Sequence, residues 1–127
     1  MGDAAVYVAV IRRVAVGAGA DLPAVVFVES LPGAKVSLAD QAAIVKAFDG
    51  ATEVRFIDDR VEAIDGAEPG APVRRKGVLV GVGNAEASNV GVQVMAVRYV
   101  DRNDEQTVCV QLRQSDTGWE AVSADRC

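Results

Sequence analysis

From Gly77 onward the chain reads as strand after strand, with no stretch between them long enough for a helix. "GVLVGVG" sets Val78, Val80 and Val82 on one face and leaves glycine or leucine on the other. "NVGVQVMAVRYVD" alternates through Val90, Val92 and Val94, and its apolar set then switches to Met95, Val97 and Tyr99. A phase slip of that kind predicts a β-bulge in the strand. "DRNDE" turns the chain into "QTVCVQLRQ", and "SDTG" turns it into a last strand. Turns this short join antiparallel neighbours, so the C-terminal part is expected to be a four-strand meander.

The residues upstream alternate between the two periods. "AAVYVAVIRRVAV" carries Val6, Tyr7, Val10, Ile11 and Val14 at helical spacing, with Asp3 in the cap position. "GAGADLP" breaks that helix, and "AVVFVES" from Ala24 reads as a buried strand. A second helix is expected in "SLADQAAIVKAFDG": Ser37 and Asp40 have the spacing of a capping box, and Gly50 supplies the stop. Leu38, Ala42, Val45 and Phe48 are its expected inward face. "TEVRFID", Thr52–Asp58, is a further strand with Val54 and Phe56 on one side. "DGAEPGAPVRRKG", Asp65–Gly77, has no periodicity and reads as a long flexible loop. With 127 residues and no divisible linker, residues 1–127 make a single α+β domain. Its expected architecture is a curved antiparallel sheet, the four-strand C-terminal meander plus one or two earlier strands, with two helices packed on one face.

The element order, the closing "GW" at Gly118–Trp119 and the motifs "YVAVI", "VVFV", "VRFI", "GVLVGVG" and "GWEAV" carry a resemblance. The chain resembles the cystatin-like cone that includes the nuclear transport factor 2-like superfamily, and small exported actinobacterial proteins of unknown function. That resemblance implies helices lying in the concavity of a bent antiparallel sheet. Enzymes and non-enzymes share the superfamily, so it implies no single activity.

The residue inventory excludes several chemistries. There is no histidine, which removes the commonest general base, Ser-His and Cys-His nucleophile pairs, and imidazole metal ligands. Two cysteines without a CxxC cannot build a structural zinc site alone. The GxG openings at Gly17 and Gly81 lack the third glycine and the strand-to-helix setting of a phosphate loop. "DRNDEQ" opens like a calcium loop at Asp101, Asn103 and Glu105, but Gln106 replaces its glycine and Leu112 its bidentate glutamate. No metal and no cofactor is expected. One acid–base arrangement stays open: Tyr7 or Tyr99 beside Asp58 or Asp101 in a cavity that raises the carboxylate pKa. Trp119, Tyr99 and Met95 are the residues expected at a ligand pocket.

Net charge is −5, and the basic residues fall in short groups at Ile11–Arg13 and Arg74–Lys76. No nucleic-acid partner is expected of such a chain, and no apolar run reaches the ~18 residues of a membrane span. "MGDAAVYV" has no cationic leader; it is either a natural start or the remainder after an export signal. If "SDTG" is the last turn, Cys109 lies opposite Ala124, three residues before Cys127, on the polar face with Gln111 and Arg113. A Cys109–Cys127 bridge would close a loop of about seventeen residues and add on the order of 3 kcal/mol. Two free thiols in a reducing cytoplasm are the alternative.

The expectation for function is a non-enzymatic exported or cell-envelope domain that binds a protein partner or small ligand, with a cytoplasmic location still open. A small cone-fold enzyme using a tyrosine–aspartate pair on an apolar substrate is the alternative. A second alternative is a structural protein that dimerises through the sheet face of Met95, Val97 and Tyr99.

Overall fold

A computed structural model describes residues 3–17, 19 and 21–127. Met1 and Gly2, and Ala18 and Ala20 of the expected break after the first helix, lie outside the described residues. Two helices and six strands follow in the order α1 (Ala4–Val16), β1 (Val25–Ser30), α2 (Leu38–Ala47), β2 (Glu53–Phe56), β3 (Val78–Ala87), β4 (Val92–Asp101), β5 (Asp104–Ser115) and β6 (Gly118–Arg126). They form one sheet in the order β2-β1-β3-β4-β5-β6. β3 to β6 are the antiparallel meander, joined by two-residue turns after Asp101 and after Ser115. The two early strands join it differently, because β1 runs parallel to both β2 and β3. Their connections explain this. α2 crosses between β1 and β2, and the 57–77 segment crosses between β2 and β3; each is long enough for a parallel return, which a tight turn is not.

α1 falls on the residues its spacing marks, and Val6, Tyr7, Val10, Ile11 and Val14 are all buried. Among the described residues, however, the Asp3 side chain makes no cap hydrogen bond. α2 starts as expected, with the Ser37 hydroxyl accepting from the Asp40 N–H at 3.1 Å. Of its expected face only Phe48 is buried. Ile44 and Phe48 are fully buried, whereas Leu38 is 81% and Val45 41% exposed, and Ala42 is exposed too. Apolar residues surround this short helix, so spacing alone does not select a stripe; Val36, buried just before the cap, takes the place expected for Leu38.

The main core lies between the helices and one sheet face. Val26, Val28, Val54, Val78, Val80, Val82, Val94, Ala96, Val108, Val110 and Leu112 meet α1, Ile44 and Phe48 there. The expected phase slip in β4 is not a bulge in that strand. β4 pairs with β5 without interruption from Val92 to Tyr99. The bulge is on β3, where Gly83 and Asn84 stand opposite Met95 alone. β4 is apolar on both faces, and its second face is covered at the Tyr99 end.

That cover is the 57–77 segment. Phe27, Leu79 and Tyr99 on the second face pack beneath Ala63 and Val73. The stretch expected to be a flexible loop is bonded into place: Asp65 N–H to Pro72 O at 2.8 Å, Val73 N–H to Val100 O at 3.0 Å and Arg74 N–H to Ala63 O at 2.7 Å. It ends on Gly77, where a Cβ would lie 2.6 Å from the Val25 side chain.

Arg98 ties α1 to the meander. Its guanidinium donates to both carboxylate oxygens of Asp104 at 3.0 Å. It also donates to the last helical carbonyls, Val14 O at 2.8 Å and Ala15 O at 2.9 Å. Gly17 closes over it, since a Cβ there would meet the guanidinium at 2.9 Å.

Candidate functional site

The four residues considered for acid–base chemistry are not brought together. Tyr7 is on the helix face of the sheet, and its hydroxyl donates to Gly83 O at 3.0 Å, on the β3 bulge. Tyr99 is on the opposite face and donates to Ala71 O at 2.6 Å. Both hydroxyls are buried and directed at backbone carbonyls, the usual arrangement for a tyrosine with a polar tip in a core. Asp58 is exposed ahead of the 3₁₀ turn Arg60–Glu62. Asp101 accepts the Asn103 N–H at 2.8 Å and so shapes the β4–β5 turn. Among the described residues no three carboxylate or thiol side chains are grouped as metal ligands.

Burial, and secondarily the Asp3 carboxylate, raise the Tyr7 pKa above its ordinary 10.0, with the Ala85 backbone hydrogen bond opposing them and Asp40 adding to them. A raised pKa means the folded state holds this proton more tightly, so stability is full below pH 10 and falls as pH rises through the folded value. Tyr7→Phe is expected to cost about 1 kcal/mol near neutrality, where it leaves Gly83 O unpaired. It should also make urea midpoints less sensitive to pH above 10. Midpoints measured at two pH values, one on either side of 10, check both effects.

The three expected pocket residues stand at three separate places. Tyr99 lines a cleft of about 840 Å³ between the 60–71 segment and the β4–β5 turn, with Arg60, Arg102, Glu68 and Glu105 around it. Its cations are already engaged: Arg60 Nε donates to Glu29 at 2.8 Å and Arg102 donates to Pro69 O at 2.9 Å. Met95 is 47% exposed on the uncovered part of the second face, beside half-buried Val97. Tyr99 does not share that open face as expected, because the 57–77 segment buries it.

Trp119 lines a groove of about 450 Å³ between α1 and β6. Ala5, Val8, Ala9, Arg12 and Val16 form one side of the helix, at steps of three or four, and Trp119 and Ala121 form the strand side. Val8, Ala9, Trp119 and Ala121 are only partly buried against the core, so the floor is apolar and accessible. Arg12, Arg13 and Glu120 also line the groove, and Glu120 is paired with Arg113. Arg12 lies 4.9 Å from the centroid of the Phe48 ring, and Arg13 makes no ion pair among the described residues. β6 is also a sheet edge, paired on one side only with β5. Of these parts the sequence marked only Trp119; the Val8–Ala9 side of α1 sits outside its main stripe and carries no signal.

The chain end after β6 is fastened to β5 by a disulfide between Cys109 and Cys127. The cross-strand partner of Cys109 is Asp125, not Ala124. Near the turn the register is the expected one, with Leu112 opposite Ala121, but Val122 is an extra residue and shifts the pairing by one beyond it. The shift brings Cys127 one place closer to Cys109.

No protein-family model matches the chain, and neither a curated protein nor a solved structure matches it.

Proposed function

We propose that this chain is a non-catalytic binding domain of the cell envelope or of a secreted protein, and that its site is the groove between α1 and β6. The observation that carries the reading is the groove's composition: an accessible apolar floor of Val8, Ala9, Trp119 and Ala121, with Arg12, Arg13 and Glu120 as its charged lining. Its size is within the range of ligand pockets, and an apolar wall with a few polar groups is their usual lining. The Cys109–Cys127 bridge supports an oxidising compartment. Element order supports placement in the cystatin-like, nuclear transport factor 2-like superfamily, with the parallel β1–β2 pair as an addition to that plan.

Because Trp119 is the single tryptophan, its emission reports occupancy of the groove directly. An apolar anion, 8-anilinonaphthalene-1-sulfonate, is expected to change that emission saturably. Val8→Glu should weaken binding by at least about tenfold, while Val61→Glu, at the exposed rim of the Tyr99 cleft, should leave it unchanged. Equal effects of the two substitutions, or no saturable change, would refute the groove as the site. Thiol counting under denaturing, non-reducing conditions on protein from its own cells should find no free thiol.

A further inference from the structure

We infer that the groove takes an extended protein segment, which adds to β6 as a seventh strand and carries acidic residues beside an apolar core. The inference rests on the groove being the binding site, and it adds how the occupant is held and what it is made of.

The two edges of the sheet differ. β2 offers four residues, whereas β6 offers nine with no proline and no lysine, and its charges are Glu120 near the start and Asp125 and Arg126 past the bulge. A strand added to β6 would run about 4.8 Å beyond it, with alternate side chains on the helix side. On β6 the helix-side residues before the bulge are Trp119 and Ala121. The corresponding side chains of an added strand would therefore fall into the groove, against Val8 and Ala9 of α1. Backbone groups along Gly118–Ala121 would pair with the segment, and the groove would select apolar residues at every second position. The extra residue at Val122 breaks the regular edge, so the paired stretch is short, about four or five residues.

Charge sets the rest of the chemistry. Arg13 lines the groove and also a second pocket that Ala124 of β6, past the bulge, lines too. It has no carboxylate partner among the described residues. Glu120 lines the groove too but is paired with Arg113, so Arg12 and Arg13 set the local charge and favour an acidic segment over a basic one, against the chain's overall −5.

The test uses the whole protein and three capped peptides of alternating valine and threonine, read by Trp119 emission. The first has aspartate at both ends, the second has lysine there, and the third is the aspartate peptide with alternate backbone nitrogens methylated. The aspartate peptide is expected to bind saturably and to slow hydrogen exchange of the β6 amides. The lysine peptide and the methylated peptide should each bind at least about tenfold more weakly. Equal binding of the methylated peptide would overturn strand addition. So would no peptide binding while anilinonaphthalene sulfonate still occupies the groove, a result that would leave the groove itself standing as the site. Sedimentation showing that a second copy already fills the β6 edge would also overturn it.

Discussion

Arg98→Ala is expected to lower unfolding free energy by about 3 kcal/mol, seen as a lower urea midpoint with little change in slope. A buried pair broken on one side commonly costs 3–5 kcal/mol, and the low end applies because Asp104 is 40% exposed while Arg98 is 14% exposed. The substitution removes four hydrogen bonds at once. Two of them satisfy helix carbonyls that have no partner within α1 itself. Arg98→Lys keeps the charge but not the planar fork that reaches a carboxylate and two carbonyls together, so it should recover less than half of the loss. Full recovery by lysine would mean that charge alone matters there and that the helix contacts contribute little.

Cys127→Ser is expected to cost about 3 kcal/mol, from restored freedom of the unfolded chain. For a domain of this size that corresponds to a fall in melting temperature of roughly 10 °C. Intact protein should show the same fall when reductant is added, and the serine variant should show none. The effect should be felt first in β6, an edge strand held on one side only and therefore prone to fray without its staple. Reduction is thus expected to weaken ligand binding at the α1–β6 groove, a result that would link the proposed site to the state of the bridge. Unchanged melting on complete reduction would remove that link.

The fold was legible where one face of an element is apolar and the other is not. α1, the valine rows of β3 and β5, and both short turns follow from such contrast. It failed where contrast is weak. α2 is apolar around most of its circumference, so Leu38, Ala42 and Val45 looked as inward as Ile44. β4 is apolar on both faces, the helices covering one and the 57–77 segment only the Tyr99 end of the other, and a two-sided strand imitates a phase slip. Parallel pairing of β1 and β2 depends on crossovers, which local pattern does not encode. The bridge was within reach from Cys109 on a polar face; the one-residue error in its register came from Val122, whose bulge has no signature in the sequence. The groove was least visible, since it is built from Val8 and Ala9 beside the main helical stripe and from backbone along β6. Arg98, a lone cation within an apolar strand, is the sequence's one mark of the tie between α1 and the meander.

Backbone amide and tryptophan indole chemical shifts, followed while anilinonaphthalene sulfonate is titrated into isotopically labelled protein, compare every candidate surface in one experiment. The changes are predicted to concentrate at Val8, Ala9, Arg12, the Trp119 indole and Ala121. Changes centred on Tyr99 and Arg102, or on Met95 and Val97, would contradict the assignment of the groove as the site.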